Sequence, residues 1–291
     1  MKIGSIGHSS GVEPDVSISA SVPLWLRLLG ALLIAGVGLA AISLAIRRGR
    51  ESGKPRLTDT ASYSRRQRRV PALLAGLALL AVFALFLDVD QHGLITNTFD
   101  AGVHEWFVRN RASWLTPVVI AVTNTFSPVG TTVIGFVVAT IFAVRTRSWV
   151  PAAVIFIGPA VTGLGVRLLK YAVPRNRPNV AEQLVRTLDP SFPSGHVTGA
   201  VSLLGCICVV LFAGFTADLG RPAKVGIGIA AALVSALVAL TRLYLGVHWF
   251  TDVVAGGLLG ASGVAGTLAF YRAAQMRTGR PGALGASAPA P

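Results

Sequence analysis

The chain has 291 residues, of which 53% are hydrophobic and 13% charged, and its mean hydropathy is +0.65, whereas an average soluble domain carries about 25% charged residues. That balance excludes a soluble globule and a disordered chain, and the two cysteines, Cys206 and Cys208, are too few and too closely spaced for a disulfide framework or a paired-cysteine metal site. The net charge of +14 has two readings, nucleic-acid binding or membrane orientation, and the distribution of the charges decides between them.

A bilayer core of ~30 Å needs about 20 apolar residues of helix. Seven runs in chain order meet that requirement: 28–46, 70–87, 128–144, 150–171, 195–215, 225–242 and 248–271. Between the first two, residues 47–69 hold nine Lys and Arg against Glu51 and Asp59, which assigns this loop to the cytoplasm. Alternation then places Arg145, Arg147, Arg221, Lys224, Arg272, Arg277 and Arg280 on the same side. The basic excess is therefore a topology signal, and no nucleic-acid partner is needed to explain it. Trp25, Trp114, Trp149, Trp249, Tyr171, Tyr244 and Tyr271 fall near span ends, where aromatic rings suit the headgroup layer. Phe99, Val103, Trp106 and Phe107 are spaced for a short helix lying on the membrane surface. Gly256, Gly260, Gly263 and Gly266 recur at helical spacing in the last span, as close helix packing requires.

The expected fold is all-α, a polytopic transmembrane helical bundle with a six-helix core and one extra N-terminal span. The expected organisation is a disordered N-terminal tail (1–22), the extra span with its basic cytoplasmic loop (23–69), the membrane domain (70–271) and a disordered cytoplasmic tail (272–291).

Charged groups are costly within a membrane, so their placement marks function. The outer ends of four spans carry them. Lys170 is followed after six residues by Arg177 and Pro178, with Pro174 ending the helix between them. Pro193, Ser194, Gly195 and His196 open a helix whose free N–H groups suit an anion. Arg242 precedes His248 by six residues, and His248 and Asp252 stand at i and i+4, so the carboxylate can accept the Nδ1 proton and leave the Nε2 electron pair free. His8, His92 and His104 show no such partner. Arg167, one turn deeper than Lys170, is expected to snorkel to the surface or pair with a neighbour rather than touch substrate.

The stretches KYAVPRNRP (170–178), PSGH (193–196) and TRLYLGVHWFTD (241–252) resemble the three signature motifs of the type 2 phosphatidic acid phosphatase (PAP2) superfamily, which also includes vanadium haloperoxidases. The resemblance covers about residues 70–271, the six-span core of the membrane enzymes. It implies that His248 is the nucleophile, forming a phosphohistidine. His196 would be general acid and then general base, with Asp252 orienting His248. Lys170, Arg177, Arg242, the Ser194 hydroxyl and the Gly195 N–H would bind the phosphoryl oxygens. Arg175 is an accessory candidate for phosphate or headgroup contact. Thr241 stands where the third motif usually has Ser, and it retains the hydroxyl.

The implied activity is a cofactor-free, metal-independent lipid phosphatase of the cell membrane, with its site on the extracytoplasmic face. Polyprenyl diphosphate, phosphatidate and phosphatidylglycerol phosphate are the candidate substrates among those of the family. A lipid phosphotransferase of the same fold, or a non-catalytic lipid or anion transporter, would share the cationic pocket. The oriented His248 favours covalent phosphoryl transfer over binding alone.

Overall fold

The structure, a computed structural model, describes residues 65–213 and 219–278. The expected N-terminal tail and first span, with most of the basic loop, lie outside the described residues. The first helix, α1, runs Arg65–Asp90. A short π turn, Thr96–Asp100, leads into α2 (Ala101–Arg109), and α3 (Thr116–Thr125) follows. Then come α4 (Pro128–Thr146), α5 (Val150–Ala172), α6 (Gly195–Phe212), α7 (Arg221–Tyr244) and α8 (Phe250–Thr278).

Local chemistry sets these boundaries. Ser127 caps α4 by accepting from Gly130 N–H at 3.1 Å, and Pro128 follows it with its ring already in helical φ. Helix α5 stops at Ala172, two residues before Pro174. The last helix continues to Thr278, past the expected boundary at 271, and α3 is a helix that the spacing of apolar residues did not announce.

Six helices among the described residues, α1 and α4 to α8, are long and apolar enough to cross a membrane. Their outward faces are greasy: Leu73, Leu77 and Leu80 on α1 are each more than 60% exposed, as are Val161 and Leu168 on α5. In water such a surface would aggregate, so the bundle is built for lipid. Helix α6 sits centrally, packed by α4, α5, α7 and α8. Its Leu203, Cys206 and Val210 are buried with Phe142 of α4 and Ile155 of α5.

Lipid gives little hydrophobic drive for helix association, so close approach matters more. A Cβ on Gly256 would meet the Ser194 carbonyl oxygen at 2.6 Å, and one on Gly260 would meet Val201 Cβ at 2.8 Å. Gly263 packs as tightly on Thr162 of α5, but a Cβ on Gly266 would meet nothing within 4 Å, so the expected stripe has three working positions. The aromatic belt is also partly corrected. Trp114, Trp149 and Tyr171 are exposed, while Tyr244 and Tyr271 are buried in the protein. Of the surface-helix residues, Phe99 and Trp106 are exposed, whereas Val103 and Phe107 pack inward.

Candidate active site

The C-terminal ends of α5 and α7 and the N-terminal ends of α6 and α8 meet at one end of the bundle. There a cavity of about 640 Å³ is lined by Lys170, Arg177, Gly195, His196, Arg242 and His248. Three segments far apart in sequence therefore converge as their spacing predicted. The cavity then continues between α4, α5 and α6 along Thr131, Gly135, Phe156, Ala160, Gly163, Leu164 and Leu203.

His248 lies in the turn between α7 and α8 and is buried. Gly246, two residues earlier, has φ +68°, a left-handed conformation that side chains disfavour. A Cβ there would also meet Arg111 Nη2 at 2.7 Å and the Glu182 carbonyl at 2.8 Å. Arg111 itself braces the turn by donating to the carbonyls of Tyr244 (3.0 Å) and Glu182 (2.7 Å).

On one side, His248 Nδ1 lies 3.4 Å from Asp252 Oδ2. On the other, Arg177 Nη1 lies 3.2 Å from Nε2. Burial, opposed by the Asp252 hydrogen bond and reinforced by the Arg177 charge, pushes the imidazole down to about 3, so it is neutral near pH 7.

Asp252 is held from all sides. Its Oδ2 accepts from the Trp249 N–H at 2.9 Å and from the Ser191 hydroxyl, and its Oδ1 accepts from Arg175 Nη1 at 2.5 Å. Arg175 also pairs with Asp100, which takes the Thr251 N–H at 2.9 Å and the Thr251 hydroxyl at 2.8 Å. The accessory candidate Arg175 therefore stands behind Asp252, away from the main cavity, and lines a separate cavity with Asp100 and Trp249. Its guanidinium lies 5.6 Å from the Trp249 ring centroid.

The cationic wall has an acid across it. Asp189 bridges Lys170 (2.9 Å) and Arg177 (2.9 Å). Burial raises its carboxyl, but the Lys170 hydrogen bond and charge, with Arg177, outweigh this and hold it below the ordinary carboxylate value. Arg177 donates further to the Asp189 carbonyl at 2.8 Å and to that of Val247, and Lys170 donates to that of Pro190. Arg242 is buried, with Nη1 on Thr123 Oγ1 of α3 at 2.7 Å.

Two buried polar atoms of the expected phosphate set, Ser194 Oγ and Arg242 Nε, have no hydrogen-bond partner among the described residues. Ser194 precedes the first turn of α6, whose leading N–H groups have no intrahelical acceptor. Neither Ser194 nor Thr241 is among the residues lining the cavity, and Thr241 donates its hydroxyl to the Val238 carbonyl of its own helix at 2.6 Å. Arg167 is exposed, as a side chain that snorkels would be. It lines the cavity and makes no ion pair or hydrogen bond among the described residues.

Sequence spacing missed Asp189, Ser191, Asp100 and Thr123, each a single polar residue whose partner lies far along the chain. It also missed His104, whose Nε2 sits 2.8 Å from Glu182 Oε2 and whose ring lies 5.5 Å from that of Trp249. A charge in the short loop just before the PSGH segment was the one available signal for Asp189. Among the described residues no group of three or more His, Cys, Asp or Glu is placed to hold a metal ion.

Known proteins share this chain's family and fold. The PAP2 superfamily model matches residues 149–276, a stretch that contains all three motifs. Phosphatidylglycerophosphatase B of Bacillus subtilis (strain 168) is 30% identical over 182 residues, which span 62% of this chain and 87% of that protein. The crystal structure of a transmembrane PAP2 type phosphatidylglycerolphosphate phosphatase from Bacillus subtilis superposes with a TM-score of 0.60 at 23% identity, over 71% of this chain and 98% of that one, and so shares its fold. The chain belongs to the PAP2 superfamily. It is a multi-pass membrane protein of the phosphatase class.

Proposed function

We propose that this protein hydrolyses the phosphate or diphosphate of a membrane lipid through a phosphohistidine, at the extracytoplasmic face and without a metal ion. The observation that carries the reading is one cavity with two chemistries: His248, His196 and three cations at the bundle end, continuing into an apolar cleft between helices. A phosphate head fits the first part, and a hydrocarbon tail fits the second. The 30% identical relative, phosphatidylglycerophosphatase B of Bacillus subtilis, is named for a lipid phosphate, which supports a lipid substrate here. The basic loop at 47–69, read as cytoplasmic, supports the opposite face for the site.

In this mechanism the Nε2 lone pair of neutral His248 forms a bond to phosphorus while the bond from phosphorus to the lipid oxygen breaks. His196 supplies the proton that this oxygen takes. Lys170, Arg177, Arg242, the Ser194 hydroxyl and the Gly195 N–H meet the charge on the phosphoryl oxygens. Arg177 exchanges its present contact with Nε2 for one with the phosphate. Asp252, fixed by Ser191, Arg175 and the Trp249 N–H, keeps the Nδ1 proton in place and stabilises the cationic phosphohistidine. His196 then takes a proton from water, whose oxygen bonds to phosphorus as the N–P bond breaks, and inorganic phosphate leaves with His248 neutral again.

Phosphate release in detergent micelles from polyprenyl diphosphate and phosphatidate, with EDTA present, tests this directly. Turnover by the native chain and none by His248→Ala is expected. Turnover that disappears in EDTA and returns with Mg2+ would contradict the metal-free mechanism.

A further inference from the structure

Arg167 lies on α5 three residues before Lys170, so it sits about 4.5 Å further from the helix end. It lines the same cavity as Lys170, Arg177, Arg242 and His248. The other cations there already have protein partners: Lys170 and Arg177 share Asp189, and Arg242 donates to Thr123. Arg167 has none among the described residues. Its side chain is exposed near the outer end of α5, where an arginine with no partner in the protein either reaches the headgroup layer or meets an anion inside the cavity that it lines. One turn further along α5, Gly163 and Leu164 begin the apolar cleft. From the bundle end inward the cavity thus offers three zones: the nucleophile with its cations, then Arg167, then apolar wall.

We propose that Arg167 binds a second phosphate of the substrate, one that His248 does not attack, lying between the scissile phosphate and the hydrocarbon tail. This rests on the phosphatase reading above and narrows it to lipids with two phosphates. The second phosphate could be the inner half of a diphosphate or a phosphodiester joined to the terminal phosphate by a short spacer. A lipid with one phosphate leaves the guanidinium without a counter-charge. In a diphosphate the inner phosphate is also the leaving group, so Arg167 would meet the charge that builds on the leaving oxygen as the P–O bond breaks. In a phosphodiester it would contribute binding alone.

The experiment measures kcat and KM of the full chain in detergent micelles on phosphatidate, phosphatidylglycerol phosphate and polyprenyl diphosphate, for the native protein and for Arg167→Ala, Arg167→Gln and Arg167→Lys. Loss of the charge is expected to raise KM for a two-phosphate lipid at least about tenfold more than for phosphatidate, with Lys restoring much of the difference. A KM effect alone on phosphatidylglycerol phosphate assigns the phosphodiester, and an added fall in kcat on polyprenyl diphosphate assigns the inner phosphate. Equal losses on all three lipids, no loss on any, or a native enzyme that prefers phosphatidate would overturn the proposal. Glutamine keeps the side-chain length, so it decides the matter if the alanine variant does not survive extraction. No phosphate release from any lipid by the native chain would remove the phosphatase reading first and this inference with it, whereas release without discrimination by the Arg167 variants would remove the inference alone.

Discussion

Arg177 Nη1 approaches His248 Nε2 at 3.2 Å, and because a guanidinium can only donate, Nε2 must carry a lone pair there. The remaining proton then sits on Nδ1, facing Asp252. One arginine of the first motif thereby marks the tautomer of the histidine in the third.

The ring should stay neutral well below its ordinary range. In 15N spectra of histidine-labelled protein in micelles, His248 is expected to keep the neutral, Nδ1-protonated pattern from about pH 7 down to about pH 5. The same shift affects stability. Between 6.5 and about 3 the unfolded chain binds a proton that buried His248 refuses, so this residue makes the fold less stable as pH falls through that window. An imidazolium signal for His248 near pH 6 would contradict the assignment.

Asp189 competes with any anion for Lys170 and Arg177, and its side chain is 53% exposed on the solvent side of the pair. Asp189→Asn keeps an acceptor and removes the charge. Vanadate, a five-coordinate phosphate mimic, should then inhibit at concentrations about threefold to fivefold lower, the size of an exposed ion pair worth up to ~1 kcal/mol. Weaker inhibition would mean that the carboxylate organises the two cations for the ligand instead.

Gly246→Ala puts a Cβ against Arg111 and the Glu182 carbonyl in a left-handed backbone. The backbone alone costs about 1–2 kcal/mol, and the turn must shift His248 to relieve the contact. Thermal unfolding should begin several degrees lower, and kcat should fall more than KM rises. Native-like kcat in this variant would show that the turn does not set the position of His248.

The cleft makes a prediction about tails. Gly163 lines it, and a Cβ there would meet nothing within 4 Å, so Gly163→Trp should fold and fill the space. KM for a long-tailed lipid phosphate is expected to rise about tenfold more than KM for a short water-soluble phosphate ester, which corresponds to lost apolar contact of a few CH2 groups at ~0.8 kcal/mol each. A parallel change in both would place the tail elsewhere.

The spans were legible because lipid demands an uninterrupted apolar length, and α4 to α8 match the expected runs to within a few residues at their described ends. Lys170, Arg177, His196, Arg242 and His248 were legible because motif spacing fixes them to helix ends. Asp189, Thr123 and Asp100 were not. Each acts through partners outside its own turn of chain, Lys170 and Arg177 for Asp189, Arg175 and Thr251 for Asp100, and Arg242 for Thr123, and nothing in its neighbours' periodicity distinguishes it from an ordinary loop or helix-face polar residue. Arg175 misled for a related reason: its position beside Arg177 suggests phosphate, but two carboxylates, Asp100 and Asp252, draw it behind the site. Helix α3 was overlooked because it is short, and its contribution to the site is one hydroxyl, that of Thr123 on Arg242.

The most direct test of the account is to trap the covalent intermediate. Mixing the enzyme with a lipid phosphate labelled at phosphorus and quenching in alkali within milliseconds should yield an acid-labile, alkali-stable phosphoenzyme whose label maps to His248. The label should be absent from His248→Ala. Turnover with no trapped label at any quench time, or label that persists on another residue of His248→Ala, would contradict the claim that His248 is the nucleophile.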